Sequence, residues 1–224
     1  MGVRRKIAAG ILYLAAGLLF LLALAWTGGG PATTMVIKLL LGAGGAAAII
    51  GAGVIFAHGR PEKRGKIVRV TIWLLFCLYL LVLLFLLFGN GFSGRTNWAF
   101  RDLAARWKQG VNWRPFATIW SYLNWAEWDM GALSQAAVNI GGNLAAFAPC
   151  GVFLPLLFRR LRRFWAFFLA MTAAIVLVEL IQLATGTGVC DIDDLILNLA
   201  GAAAVYGLAH IPPVRRWAAR LVKA

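Results

Sequence analysis

The chain has 224 residues, 62% of them apolar, and carries 22 basic against 8 acidic side chains. An ordinary soluble domain holds roughly 45–50% apolar residues, and here the charges fall in short clusters rather than along amphipathic faces. A soluble globular domain, a disordered chain and a repeat array are therefore excluded.

What remains is an all-α, polytopic helical membrane bundle. Six apolar stretches, at 7–26, 35–57, 67–88, 136–158, 164–184 and 193–211, each reach about 20 residues, enough to cross a bilayer core of about 30 Å. None alternates as a membrane barrel strand would. The first stretch follows a basic start and could be mistaken for a signal peptide. Its apolar run exceeds the roughly 7–15 residues of such a segment, so a retained helix is expected. A short turn, Thr27-Gly28-Gly29-Gly30-Pro31, joins it to the second span, where Ala43, Ala47 and Gly51 suggest a small-residue packing stripe. Lys38 is expected to snorkel to the surface. Residues 1–66 read as a hairpin with a basic loop, 67–211 as the core including the external segment 89–135, and 212–224 as a basic amphipathic tail.

Six of the ten tryptophans (Trp98, Trp107, Trp113, Trp120, Trp125 and Trp128) fall in segment 89–135. There Ala99, Leu103 and Trp107 recur every four residues between charges, the pattern of a helix suited to the headgroup layer. The alternative is a lid that covers the bundle without touching lipid. Val214, Trp217 and Leu221 suggest a shorter helix of the same kind in the tail. The three cysteines, Cys77, Cys150 and Cys190, lie at unmatched depths and predict no disulfide.

Numbering the connections alternately puts 16 basic residues on one side: those at 4–6, 60–69, 159–163 and 215–223. Five (Arg95, Arg101, Arg106, Lys108 and Arg114) lie on the other. This asymmetry predicts both termini in the cytoplasm, and it accounts for the charge without nucleic acid.

Polar residues inside spans are costly and carry the functional information. Asn139 and Asn143 share one face of the fourth span. Glu179 and Gln182 share one face of the fifth. Asp191, Asp193, Asp194 and Asn198 open the sixth. Asn143, Glu179 and Asn198 should each lie roughly 7 Å below the outer surface, at about 1.5 Å per residue. They predict one outward-facing polar cluster. Asp191 is placed as an N-cap, with Asp194 three residues on completing a box, and Pro149 predicts a kink. Four carboxylates with no basic partner at their depth need a shared proton, a cation, or a cationic group on a ligand.

These residues, in this order, resemble the VanZ-like family, typified by a membrane protein associated with teicoplanin resistance. Asn112-Trp113-Arg114-Pro115-Phe116 looks like the family's N-x-x-P-F segment, with Arg114 where an aliphatic residue is common. Gly142-Asn143, Phe147 and Pro149-x-Gly151 are similar to its G-N-x-x-x-F-x-P-x-G helix. Glu179-x-x-Gln182 resembles its E-x-x-Q, and Asp191-x-Asp193-Asp194 with Asn198 and Gly201 its D-x-D-D-x-x-x-N-x-x-G. The resemblance implies a bacterial cytoplasmic-membrane protein linked to lowered glycopeptide susceptibility.

Three functions stay open. A non-enzymatic factor would bind an envelope lipid, or the lipid tail of a lipoglycopeptide antibiotic, through Asn112, Arg114, Pro115, Phe116 and the polar cluster. An enzyme acting on a lipid-linked envelope precursor would use Glu179 or Asp194 as general base, or Asp191, Asp193 and Asp194 on a divalent cation. A transporter is permitted by six spans, but no inverted repeat is apparent. The first reading is favoured; no cofactor is expected, and the oligomeric state is open.

Overall fold

The computed structural model describes residues 2–25, 31–92, 107–108, 110–126, 130–214 and 216. Among them, six helices are long and apolar enough to cross a membrane: Val3–Ala23, Ile37–Gly59, Pro61–Phe88, Ala136–Leu157, Phe164–Thr185 and Ile192–His210. These match the six expected spans to within four residues except at the third, which starts six residues earlier, at Pro61, and the chain is a multi-pass, all-α membrane protein. The 27–30 turn, most of the pattern around Leu103, Trp98 and Trp128, the side chain of Trp125, and Trp217 with Leu221 lie outside the described residues.

By contact the chain divides into two compact units, Met1–Leu84 with Arg215–Ala224, and Phe85–Val214. The first unit holds α1 (Val3–Ala25), α2 (Pro31–Gly59) and most of α3 (Arg64–Phe92). Ala16, Ala48 and Ile49 form its core with Leu12 and Tyr13 against them. The packing stripe on α2 differs from the expected one. Ala43 and Ala47 are exposed, while Gly45, Ala48 and Ala52 are buried. Almost every residue from 42 to 53 is small, so spacing alone marks several equivalent faces. The choice is made by Leu12 and Leu19 of α1, which press on Gly51 and Gly44. Lys38 is buried with a partner rather than extended to the surface.

The second unit contains α4 (Ala117–Ala126), α5 (Met130–Ala146), α6 (Cys150–Leu157), α7 (Phe164–Thr185) and α8 (Ile192–His210). Pro149 does more than kink the fourth span. The helix stops at Ala146 and restarts at Cys150, bridged by i→i+3 bonds from Cys150 and Gly151 to the Phe147 and Ala148 carbonyls. In α7 every fourth residue is buried: Phe167, Met171, Ile175, Glu179 and Leu183. Trp165, Leu169 and Leu177 on the opposite face are exposed, as an apolar face toward acyl chains would be.

The last helix is the hub of this unit, packed against α5, α6 and α7. Its approach depends on two glycines. A Cβ on Gly201 would meet the Leu144 carbonyl oxygen at 1.8 Å, and one on Gly151 would meet the Tyr206 amide nitrogen at 2.5 Å. At its far end the Tyr206 hydroxyl donates to the Arg162 carbonyl at 2.7 Å, and its ring stacks on Phe167. That contact ties α8 to the arginine-rich turn Arg159–Arg162.

Candidate functional site: a donor-poor carboxylate cluster

The site begins where α7 ends. Gly186 terminates that helix in the left-handed conformation, and a short loop leads to the strand Cys190–Asp191. This strand pairs in parallel with Val111–Asn112, placing Asn112 opposite Asp191. Asp191 then caps α8, its carboxylate accepting the Asp193 amide at 2.9 Å. The expected reciprocal bond from Asp194 is not made. The Asp191 amide donates instead to Glu179 Oε2 at 3.4 Å, so the second half of the box comes from the neighbouring helix.

Two of the four carboxylates are satisfied by the protein. Asp191 accepts from Asn112 Nδ2 at 3.1 Å and from the Thr118 hydroxyl at 2.5 Å, besides the Asp193 amide. Asn112 is itself fixed, donating to Thr118 Oγ1 at 3.0 Å and accepting the Arg114 amide at 3.1 Å. Asp193 is fully buried and accepts the amides of Phe116, Thr118 (2.8 Å) and Ile119 (3.1 Å). These are the orphan amides at the start of α4. Phe116 occupies the capping position there, its carbonyl accepting the Trp120 amide at 2.9 Å, but it has no side-chain acceptor to offer. Asp193 supplies one from another helix. Phe116 adopts φ 65°, a left-handed conformation uncommon for an aromatic residue.

The other two carboxylates are less well provided. Among the described residues, Asp194 accepts from Asn143 Nδ2 and Glu179 receives only the long bond from the Asp191 amide. Asn198, one turn along α8 from Asp194, is 2% exposed, and its Oδ1 has no hydrogen-bond partner among the described residues. It lies between Asp194, bonded to α5 through Asn143, and Gly201, pressed on α5 at Leu144. Glu179 and Asp194 thus lie close enough to feel each other's charge, and Asn198 follows one turn beyond Asp194 with an unpartnered oxygen among the described residues. Cys190 reports the same field. Burial pushes its thiol above the ordinary cysteine value, and the carboxylates of Glu179, Asp191 and Asp194 push it further.

A family model described as VanZ/LLP1 matches residues 75–212. The chain belongs to the VanZ/LLP1 family. No curated protein and no solved structure was found to match it. The VanZ/LLP1 match takes in every residue of the cluster, from Asn112 to Asn198, and leaves α1 and α2 outside.

Of the residues singled out in the sequence, this VanZ/LLP1 chain brings together Asn112, Asn143, Glu179, Asp191, Asp193 and Asp194. Asn139 lies one turn from Asn143 on α5 and is half-buried. Gln182 is spent elsewhere, donating to the Leu87 carbonyl of α3 at 3.0 Å. Arg114, Pro115 and Phe116 are exposed, and Arg114 and Phe116 join the network through their backbone amides. Among the candidate metal ligands, Asp191 and Asp193 have committed their oxygens to amide and hydroxyl donors. Among the described residues, no group of three His, Cys, Asp or Glu could hold a metal ion. Thr118 was missed by sequence reasoning. The signal was present in Ile119, Trp120 and Leu123 after Pro115, a helical spacing whose start needed a capping group.

Proposed function

We propose that this VanZ/LLP1 chain is a non-enzymatic bacterial membrane factor that lowers susceptibility to teicoplanin-type lipoglycopeptides. It does so by binding the antibiotic's lipid-bearing end, or an envelope lipid, at a polar site on the outer-leaflet side of the spans. The observation that carries this reading is the surplus of acceptors at Glu179, Asp194 and Asn198. Such a site is completed by a ligand that brings ammonium or hydroxyl donors. The exposed rings of Trp113, Phe116 and Trp120, on the segment bound to Asp191 and Asp193, offer apolar area for an acyl chain.

Catalysis by Glu179 or Asp194 as general base, on a lipid-linked envelope precursor, is the second reading. It is less favoured because Asp191 and Asp193 are already committed to amide and hydroxyl donors of the chain. The reading places both termini in the cytoplasm and the cluster on the opposite side, following the excess of basic residues at one end of the spans.

The test is equilibrium binding to the purified protein in lipid nanodiscs, using a teicoplanin-type antibiotic and its deacylated counterpart. Saturable binding of the acylated compound alone is expected, together with a raised inhibitory concentration in cells that produce the protein. Equal binding of both compounds, or no change in susceptibility, would sink the proposal.

A further inference from the structure

The hairpin α1–α2 lies outside the family match, yet it carries a cavity of its own. It is a recess of about 550 Å³, open at the surface and lined by the exposed Arg4, Arg5 and Ala8 of α1 and by Val54, Ile55 and His58 of α2. Its position is set by the ends of two apolar helices: Arg4 opens Val3–Ala23, and His58 closes Ile37–Gly59. The depth is therefore that of a membrane–water boundary, and the lining is almost wholly apolar, with the side chains of Arg4, Arg5 and His58 at its border. The walls are built firmly. Tyr13 stacks on Phe56 with ring centroids 6.0 Å apart, and Leu12 presses on Gly51 within the same helix pair.

The charge around the cavity has one sign almost throughout. Arg60, Lys63, Arg64 and Lys66 follow α2 directly, with Glu62 the single acid in that stretch. Arg60 lies with its guanidinium 6.0 Å from the Phe56 ring centroid. No carboxylate pairs with Arg4 or Arg5 among the described residues. Guanidinium groups accept phosphate oxygens in bidentate fashion, and basic pockets between membrane helices suit lipid headgroups.

We propose that this cavity seats an anionic glycerophospholipid, its phosphate held by Arg4, Arg5 and His58 and one acyl chain lying along Val54 and Ile55. The surrounding net positive charge rejects the terminal ammonium of a zwitterionic lipid and selects an anionic headgroup. The site is separate from the carboxylate cluster, so its test does not depend on what that cluster binds.

The experiment is lipid retention by the full chain, purified from nanodiscs of equimolar phosphatidylglycerol and phosphatidylcholine and read by native mass spectrometry. Phosphatidylglycerol should be enriched on the wild type. The double variant R4Q/R5Q should lose about 25-fold in that preference, from about fivefold for each basic residue near an anionic surface. Val54→Trp fills the cavity without touching the charges and should also release the lipid. R159Q/R160Q, at another basic turn, should leave the preference unchanged. Retention that survives Val54→Trp would show diffuse surface attraction and overturn the proposal. So would equal retention of both lipids by the wild type, or a loss in R159Q/R160Q as large as in R4Q/R5Q. Size-exclusion profiles matching the wild type establish that each variant is folded.

Discussion

The carboxylate of Asp193 accepts the backbone amide of Thr118 at 2.8 Å across 75 positions of sequence. With Phe116 and Ile119 it completes a helix start that has no acceptor of its own. This bond joins the aromatic segment to the hub helix α8, and it provides the fully buried Asp193 carboxylate with donors of the chain's own.

Asp193→Ala should destabilise the protein by about 1–3 kcal/mol, because amides at the start of α4 lose their acceptor. Asp193→Asn should recover only part of that, since one oxygen becomes a donor facing amides. Hydrogen exchange at Thr118 and Ile119 should quicken in both variants. Unchanged protection there would show that the cap contributes nothing.

Gly201→Ala and Gly151→Ala should each abolish or severely reduce folded protein, because the added carbon meets backbone rather than a movable side chain. Overpacking of this kind costs at least about 1–3 kcal/mol. Gly141→Ala, which meets nothing within 4 Å, should be neutral or stabilised by up to about 1 kcal/mol through helix propensity. Yields and thermal midpoints of monodisperse protein in detergent distinguish these cases.

Glu179→Gln should preserve folding yet reduce ligand binding and any resistance phenotype by at least about tenfold, the scale of one charged hydrogen bond. Asn198→Leu is more discriminating. Its Oδ1 has no partner among the described residues, so stability should hold or rise while binding falls. If Asn198→Leu binds as the wild type does, the acceptor surplus is not used by a ligand.

The thiol of Cys190 should react slowly with maleimides near neutral pH, because burial and three nearby carboxylates hold its ionisation above the ordinary range. Raising the pH increases the thiolate fraction, so its labelling should accelerate at higher pH than for an exposed cysteine. Glu179→Gln removes one of those charges and should shift the profile toward lower pH. A profile identical to the wild type would place Glu179 too far from Cys190 to act on it.

The arrangement in the membrane is open to direct labelling. In a background without native cysteines, Arg114→Cys should react with an impermeant reagent on intact cells, since the residue is exposed and follows few basic neighbours. Labelling only after the membrane is opened would reverse the orientation.

The sequence by itself determined the number, length and type of the membrane helices, because an apolar run of span length has one stable state in lipid. It also marked Asn143, Glu179, Asp191, Asp193, Asp194 and Asn198 as polar groups too costly in such helices to stand without partners. Even the α8 cap at Asp191 was readable, being a contact between residues two positions apart. Only the tertiary structure decided how the four carboxylates divide. Spacing gives Asp193 and Asp194 nearly equal standing, yet one is satisfied by a distant helix start and the other, among the described residues, by a single asparagine. It likewise turned Gln182 to a carbonyl on α3 and chose Gly45, Ala48 and Ala52 over Ala43 and Ala47 as the buried face of α2. The reason is common to these cases. A residue's periodicity fixes the face it occupies, but its hydrogen-bond partner is a position elsewhere in the chain, and only the packed helices bring that partner within reach.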